Sequence, residues 1–206
     1  MTDHERHDQA MWDERYGKPG YSYGTAPNAF LVSAAERLPP GRILSLGEGE
    51  GRNAVYLATL GYQVVGVDGS PVGLAKARKL ALECGVRITT VVSDLADYAI
   101  EPRSWQGIIS IFCHLPRRLR ARLHADVVRG LKPGGVFILE AYTPAQLGRQ
   151  TGGPPSADLL VSLADLEREL KGLEFLHAGE RERVVIEGRA HTGLSAVVQV
   201  VARKRR

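Results

Sequence analysis

The 206-residue sequence lacks several features that would place it in particular classes of protein. Its two cysteines, Cys84 and Cys113, are too few for a disulfide framework, and they favour a reducing compartment such as the cytoplasm. No apolar run approaches the ~18 residues that a membrane-spanning helix needs, so no membrane partner is expected. Residues 1–17 are polar and charged, without the apolar stretch of a secretory signal.

The sequence also has little excess charge, with 27 Lys and Arg against 23 Asp and Glu, a net charge of +4. The four basic residues 203–206 account for that excess, so the remainder is neutral. We interpret this tail as a frayed, solvated terminus and the basic run 117–122 as a solvated helix face. Nucleic acid is therefore not the expected partner, and no pattern indicates an oligomeric state.

Apolar, β-branched runs alternate with helical patterns along most of the chain. Continuously apolar strands in such an alternation indicate a parallel sheet covered by helices on both faces. Two long strands near the end, with no helix between them, predict an antiparallel finish. The predicted strands are 41–47, 63–67, 87–92, 107–112, 136–142, 175–185 and 196–202, and the predicted helices are 53–60, 70–84, 116–131 and 162–170.

A glycine-rich turn lies between the first predicted strand and the helix that follows. Its glycines, Gly47, Gly49 and Gly51, are spaced G-x-G-x-G rather than the G-x-G-x-x-G of dinucleotide-binding folds. The intervening Glu48 and Glu50 would repel a pyrophosphate but would tolerate a cation. S-adenosylmethionine carries a sulfonium and an ammonium and no phosphate, so the turn favours it over NAD. The alternative is a plain tight turn.

Two acids follow the next strands at positions suited to a nucleoside. Asp68 comes 21 positions after Gly47, the spacing at which an acid accepts hydrogen bonds from ribose hydroxyls. Asp94 follows the third strand, where it can meet an adenine amine. The alternatives are an acid at a helix N-terminus for Asp68 and a loop cap for Asp94. The predicted cofactor-binding residues are Tyr23, Gly47, Glu48, Gly49, Gly51, Asn53, Asp68, Gly69, Ser70, Asp94, Leu95, Phe112 and Cys113.

Candidates for an acceptor-side or catalytic role lie at the same edge of the predicted sheet: His114, Tyr142, Arg149 and His191. A histidine of near-neutral pKa can take a proton from a thiol or hydroxyl, although most lone histidines are structural. The Gly- and Pro-rich loop 143–157 has the length of a functional lid. No metal site is predicted, because Cys113 and His114 are adjacent and no second pair is placed to complete one.

These motifs resemble those of class I S-adenosylmethionine-dependent methyltransferases. The resemblance rests on the glycine turn, Asp68, Asp94 and the run 131–135. A closer resemblance to the tellurite-resistance and thiopurine-methyltransferase-like branch rests on residues 12–16, 23–24, 27–28, 49–54 and 151–154.

The resemblance implies one domain over residues 1–206, an α/β fold with a doubly wound, Rossmann-like sheet. The sheet would have about seven strands, the last antiparallel, with helices on both faces. Residues 1–40 would form a helical cap over the cofactor. It also implies S-adenosylmethionine as cofactor and S-adenosylhomocysteine as product. Many class I enzymes carry an acid where this chain has Ser45, and Glu48 is expected either to compensate or to face solvent.

Three functions remain open at this point. The first is methyl transfer to a small-molecule acceptor; a soft sulfur, selenium or tellurium nucleophile suits the absence of a base dyad. The second is methylation of a protein or nucleic acid, supported by the basic tail alone. The third is a non-catalytic module that binds S-adenosylmethionine, which the departure at Ser45 leaves open.

Overall fold

A computed structural model describes the backbone of residues 3–188 and 191–205, with side chains from residue 9 onward. Residues 1–2, residues 189–190 and Arg206, the last residue of the basic tail, lie outside this range. The helices are α1 Asp3–Gly17, α2 Ala29–Ala34, α3 Arg52–Thr59, α4 Pro71–Glu83, α5 Arg117–Gly130 and α6 Leu163–Glu169. The strands are β1 Arg42–Leu46, β2 Gln63–Asp68, β3 Thr89–Val92, β4 Trp105–Ile111, β5 Leu131–Tyr142, β6 Leu173–Glu187 and β7 His191–Lys204.

The described strands form one seven-stranded sheet in the order β3-β2-β1-β4-β5-β7-β6. Strands β1 to β5 pair in parallel, and β7 runs antiparallel to both of its neighbours. A short turn can join β6 to β7 because antiparallel strands need no crossover. This confirms the predicted α/β class, the strand number and the antiparallel finish.

Strands β1 and β4 lie at the centre of the sheet and are apolar because both of their faces are covered. Leu44, Ile108 and Ile109 are among their fully buried side chains. From β1 the chain continues to β2 on one side, whereas β4 pairs with β1 on the other side. The strand order therefore reverses beside β1, and the crevice at the carboxyl ends of β1 and β4 is where such folds bind ligands.

The helix after β2 begins where the sequence predicts. Ser70 is its N-cap and accepts a hydrogen bond from the Gly73 amide at 3.0 Å, while Pro71 occupies the first helical position. Helix α1 packs against this helix, α4. The N-terminal segment thereby lies beside the carboxyl ends of β1 and β2.

Two predictions about basic residues are wrong in part, although Arg117, Arg118 and Arg122 are exposed as predicted. Arg203 and Lys204 belong to β7 rather than to a frayed terminus; the Arg203 guanidinium pairs with Glu174 and the Lys204 ammonium donates to the Val128 carbonyl. Arg120 is buried instead of lying on a solvated face, because Glu169 pairs with its guanidinium at 2.9 Å. Strand pairing and a buried acid, both distant in sequence, decide these positions.

No helix among the described residues is long and apolar enough to cross a membrane.

Candidate active site

The glycine turn, residues Gly47–Gly51, has backbone that only glycine accommodates well. Gly47 has a φ of 63°, and a Cβ there would lie 2.7 Å from the Cys113 sulfur. Gly51 has a φ of 101°, and a Cβ there would lie 2.6 Å from the Ala77 Cα. The turn therefore presents bare backbone toward the crevice while α3 packs closely on α4.

Asp68 is tied to the glycine turn at the end of β2. One carboxylate oxygen accepts the Gly49 amide at 2.8 Å and the other accepts the Ser70 amide at 2.8 Å. Burial raises the pKa of Asp68, while these two amides act in the opposite direction. Each oxygen keeps a second lone-pair position, so the carboxylate can also accept hydrogen bonds from a ligand.

Glu48 faces inward, so the alternative that it points to solvent is wrong. One of its oxygens accepts the Ser45 hydroxyl, and the other accepts the Ala54 amide at 3.0 Å. Burial raises its pKa to about 7, although both hydrogen bonds oppose the change. Ser45 therefore positions an acid that comes three residues later in the chain.

Glu50 fastens the N-terminal segment to the glycine turn. Its carboxylate accepts the Ser22 amide at 2.7 Å and pairs with the Lys76 ammonium at 2.9 Å. The same ammonium donates to the carbonyls of Lys18 and Gly20. Both acids of the turn line the cavity beneath it together with Gly47 and Gly49, but the carboxylate of Glu50 is already paired with Lys76.

An open cleft of about 1720 Å³, the outer cleft, runs along the carboxyl ends of β1 to β4. It exceeds the ~300–1,000 Å³ that is usual for a drug-sized ligand, so it has room for a nucleoside and a second molecule. Gly152–Pro155 of the long loop also line it. The predicted cofactor residues that line this cleft are Tyr23, Gly47, Asp68, Gly69, Ser70, Asp94, Leu95, Phe112 and Cys113.

A smaller inner cavity lies between the glycine turn and the N-terminal segment. Trp12, Tyr16 and Tyr23 come from that segment, and the rings of Trp12 and Tyr16 stack at 5.4 Å. Gly47, Phe112 and His191 line the cavity and the outer cleft alike, so the two spaces adjoin. The remaining lining residues are Gly24, Glu48, Gly49, Glu50, Arg52, Asn53, Ile111 and His114.

Five rings gather where the two spaces meet: Tyr23, Phe112, His114, Tyr142 and His191, here called the ring cluster. The Phe112 ring lies 4.6 Å from that of Tyr142 and 4.9 Å from that of His191, and Tyr23 lies 4.6 Å from His191. His114 stacks on Tyr142 at 5.5 Å. Phe112 has a φ of 51°, an uncommon value for a non-glycine residue and a frequent one at ligand sites.

Both histidines of the ring cluster are neutral at neutral pH. Burial lowers the pKa of His114 to about 4. Burial, followed by the charges of His114 and Arg52, lowers the pKa of His191 to about 3. The Nδ1 atom of His191 is buried without a hydrogen-bond partner among the described residues. Neutral imidazoles can accept a hydrogen bond from a hydroxyl or thiol.

The structure does not bring all of the predicted acceptor-side residues to the cleft. Arg149 lies away from both cavities, where its guanidinium pairs with Glu182 at 2.5 Å. Tyr142 is fully buried behind Phe112 and His114 and lines neither space. Burial raises the pKa of Cys113 to about 12, so its thiol lacks the thiolate character of a nucleophile.

A buried polar network behind the ring cluster escaped the sequence analysis. The fully buried Glu140 accepts hydrogen bonds from Asn28, Arg183 and Gln199. Asn28 also donates to Glu187 at 2.8 Å. Glu140 stands inside the apolar run of β5, and this position indicates a buried network because a buried carboxylate requires partners.

Within the described residues, no three His, Cys, Asp or Glu side chains gather as a metal site would need.

These features fit S-adenosylmethionine. Gly47 and Gly49 line the inner cavity with backbone, and Asp68 and Asp94 lie at the outer cleft. The inner cavity is also lined by Glu48 and Arg52, two groups of opposite charge. An adenosine bearing a zwitterionic amino-acid end matches that set of groups.

Comparison with known proteins supports the same conclusion. Residues 43–135 match the family model described as a methyltransferase domain. The chain is 28% identical over 140 residues to 2-heptyl-1-hydroxyquinolin-4(1H)-one methyltransferase of Mycobacteroides abscessus, a match covering 66% of this chain and 62% of that protein. It is 34% identical over 119 residues to the probable S-adenosyl-L-methionine-dependent methyltransferase TehB of Haemophilus influenzae, covering 57% of this chain and 41% of that one.

The chain is thus similar to class I S-adenosylmethionine-dependent methyltransferases, and the match to the methyltransferase domain covers residues 43–135. The crystal structure of TehB from Haemophilus influenzae shows the same fold, with a TM-score of 0.72 and 21% identity over 96% of this chain and 67% of that one. This chain spans less than two thirds of the length of the curated relatives described above. The methyltransferase domain and its cofactor therefore agree with the sequence analysis, which identified both from the glycine turn and the two acids.

Proposed function

We propose that this methyltransferase transfers a methyl group from S-adenosylmethionine to a small molecule with a soft or readily ionised nucleophile. The ring cluster carries the proposal, because it presents ring faces and neutral imidazoles where the inner cavity meets the outer cleft. Such walls suit an apolar, compact acceptor better than a charged polymer.

The cofactor supplies an electrophilic methyl group on a sulfonium. In our proposal, Asp68 and Asp94 with Leu95 hold the nucleoside in the outer cleft, and the glycine turn lies against the amino-acid end. Positioning of the reactants can contribute ~7–11 kcal/mol to the lowering of the barrier. A displacement by an anion also benefits from the exclusion of water.

Residues 1–40 serve in this proposal as a helical cap that keeps water out. Three observations support this role of the cap. Trp12 and Tyr16 line both spaces, the Ser70 hydroxyl donates to Asp13 of α1, and Glu50 holds the segment at Ser22. The cap and the turn would then form one closed wall around the methyl group.

His191 and His114 would orient the acceptor by accepting a hydrogen bond from its hydroxyl or thiol. With pKa values near 3 and 4 they are weak bases, so they suit nucleophiles that ionise easily or need no base. One relative is named as a methyltransferase of 2-heptyl-1-hydroxyquinolin-4(1H)-one, and an N-hydroxyl on a flat ring falls within this class of nucleophile.

An acceptor screen that detects S-adenosylhomocysteine tests the proposal. Thiols, chalcogen oxyanions and N-hydroxy heteroaromatics form the small-molecule arm, with protein and nucleic acid as the second arm. We expect turnover in the first arm, and a loss of acceptor affinity in His191→Phe with unchanged cofactor affinity. Turnover confined to the second arm, or cofactor binding without turnover of any acceptor, would refute the small-molecule assignment.

A further inference from the structure

Arg52 is a buried cation whose individual hydrogen-bond donors show which part of a ligand it can hold. It is the first residue of α3, directly after the glycine turn, and it is 8% exposed. It lines the inner cavity together with Gly47, Glu48 and Gly49. A buried guanidinium is costly to leave incompletely paired, so its donors indicate what the cavity is built to receive.

Only part of this guanidinium is occupied. Its Nη2 atom pairs with a Glu187 oxygen at 2.6 Å. Its Nη1 atom is buried and has no hydrogen-bond partner among the described residues. One arm of the planar fork is thus held in place while the other remains available to an oxygen acceptor.

Glu187 is itself fixed from two further sides. It accepts Asn28 at 2.8 Å and pairs with Arg183 at 3.2 Å, at the end of β6. A carboxylate held this way cannot easily swing round to cover the second arm of Arg52. The orientation of Arg52 is therefore set by the β6–β7 hairpin, far from the glycine turn in sequence.

The inner cavity is lined by acids as well as by Arg52, and because Glu50 is paired with Lys76, Glu48 is the acid left to face a ligand. Glu48 lines it with the carboxyl group held by Ser45 and the Ala54 amide. An α-amino acid group carries a carboxylate and an ammonium, which matches a cavity that offers a guanidinium and a carboxylate. A simple anion would leave the acid uncompensated.

We propose that Arg52 binds the carboxylate of the methionine end of the cofactor through Nη1, and that Glu187 is the positioning residue that aims it. The inference rests on the proposed function and adds the group that recognises the amino-acid end. Because Arg–carboxylate hydrogen bonds are charge-assisted and directional, lysine at this position is not equivalent.

Calorimetric titration with two ligands tests the proposal. S-adenosylhomocysteine has the amino-acid end, and 5′-methylthioadenosine has the same nucleoside and sulfur without it. Arg52→Met should weaken S-adenosylhomocysteine binding by roughly 10- to 100-fold, the loss expected for a hydrogen bond to a charged group. Binding of 5′-methylthioadenosine should stay unchanged. Glu187→Gln should show the same selectivity with a smaller loss.

Two further variants keep the test decisive. Arg52→Lys retains the buried charge if Arg52→Met fails to fold, and it should still weaken S-adenosylhomocysteine selectively. Arg120→Met removes another buried arginine, paired with Glu169 outside both cavities, and should leave both affinities unchanged.

The remaining outcomes separate this inference from the proposed function. If both Arg52 variants bind S-adenosylhomocysteine as tightly as the wild type, the inference is overturned and the proposed function is not. The same holds if these variants only raise the KM for the acceptor. An equal loss for both ligands would also overturn the inference, because the whole site would then be distorted. A wild-type protein that binds neither ligand would overturn the proposed function as well.

Discussion

The glycine turn and the ring cluster form adjoining parts of one site but are built in different ways. The turn, with Asp68 and Ser70, comes from residues 47–70 and works through backbone amides held at fixed positions. The ring cluster draws Tyr23, Phe112 and His191 from segments distant in sequence and works through side chains. A site made of local backbone is set by glycine spacing, whereas one made of distant side chains depends on the packing of the whole domain.

The difference has a functional consequence. Enzymes that share a cofactor bind the same adenosine and amino-acid groups, so one arrangement of backbone amides can serve all of them. Acceptors vary, and side chains on loops and hairpins can change without disturbing the sheet. Substitutions in the two parts should therefore have different effects, on cofactor binding and folding for the glycine turn and on acceptor kinetics for the ring cluster.

Asp68→Ala should weaken S-adenosylhomocysteine binding by roughly 100-fold or more, because in our proposal Asp68 accepts hydrogen bonds from the two ribose hydroxyls of the cofactor. The same substitution also removes the acceptor of the Gly49 and Ser70 amides. Isothermal titration calorimetry measures the effect. Asp126→Asn, an acid on α5 paired with Arg129, is the control. Full binding by Asp68→Ala would remove Asp68 from the site.

Gly51→Ala should destabilise the protein by about 2–4 kcal/mol, the sum of backbone strain and overpacking. The added Cβ would lie 2.6 Å from the Ala77 Cα at a φ of 101°. Urea unfolding gives the free energy. Gly61→Ala is a matched control, since its φ is 90° but nothing lies within 4 Å of the new Cβ. Equal losses at both positions would mean that the contact between α3 and α4 is not tight.

Glu48→Gln should change how stability depends on pH. The pKa of Glu48 rises from 4.5 to about 7 on folding, so the unfolded chain loses this proton first as the pH increases. Wild-type stability should therefore fall as the pH rises from about 4.5 through 7, by roughly 3 kcal/mol in all, and the penalty should be complete about one pH unit above 7. Urea unfolding at pH 5 and pH 8 should show the fall in the wild type and not in the variant. Parallel curves would contradict the assigned burial.

His191→Phe should raise the acceptor KM by roughly tenfold, the cost of one hydrogen bond. Because His191 and His114 charge only below about pH 4, the wild-type rate should show no histidine inflection between pH 6 and 8. Steady-state kinetics with the acceptor found in the screen measures both effects. A clear inflection near pH 6.5 that disappears in the variant would show that the imidazole is not desolvated.

Arg149→Ala should change neither ligand affinity nor acceptor kinetics, and its effect on stability should stay within about 0.5 kcal/mol. Its guanidinium pairs with Glu182 away from both cavities. A marked loss of acceptor turnover in this variant would restore the role that the sequence suggested for it.

The site residues that the sequence indicated differ in how far local pattern could place them. Asp68, Ser70, Asp94 and Leu95 come to one cleft because each follows a parallel strand, and parallel strands end at the same edge. Arg149 does not reach the cleft, because a long loop has no such constraint. Arg52 and Glu187 could not be connected from the sequence at all, since their pairing depends on where the β6–β7 hairpin packs.

The sequence alone determined the strand and helix pattern, the parallel sheet and the glycine turn, because these follow from periodicity and from backbone conformations that only certain residues adopt. Tertiary structure decided which buried charges meet. It directs Glu48 inward, pairs Glu50 with the N-terminal segment and buries Arg120 against Glu169. It also leaves Nη1 of Arg52 without a hydrogen-bond partner among the residues that the structure describes. The physical reason is that a charge taken out of water must find its partner in space, and nothing in its sequence neighbourhood specifies that partner.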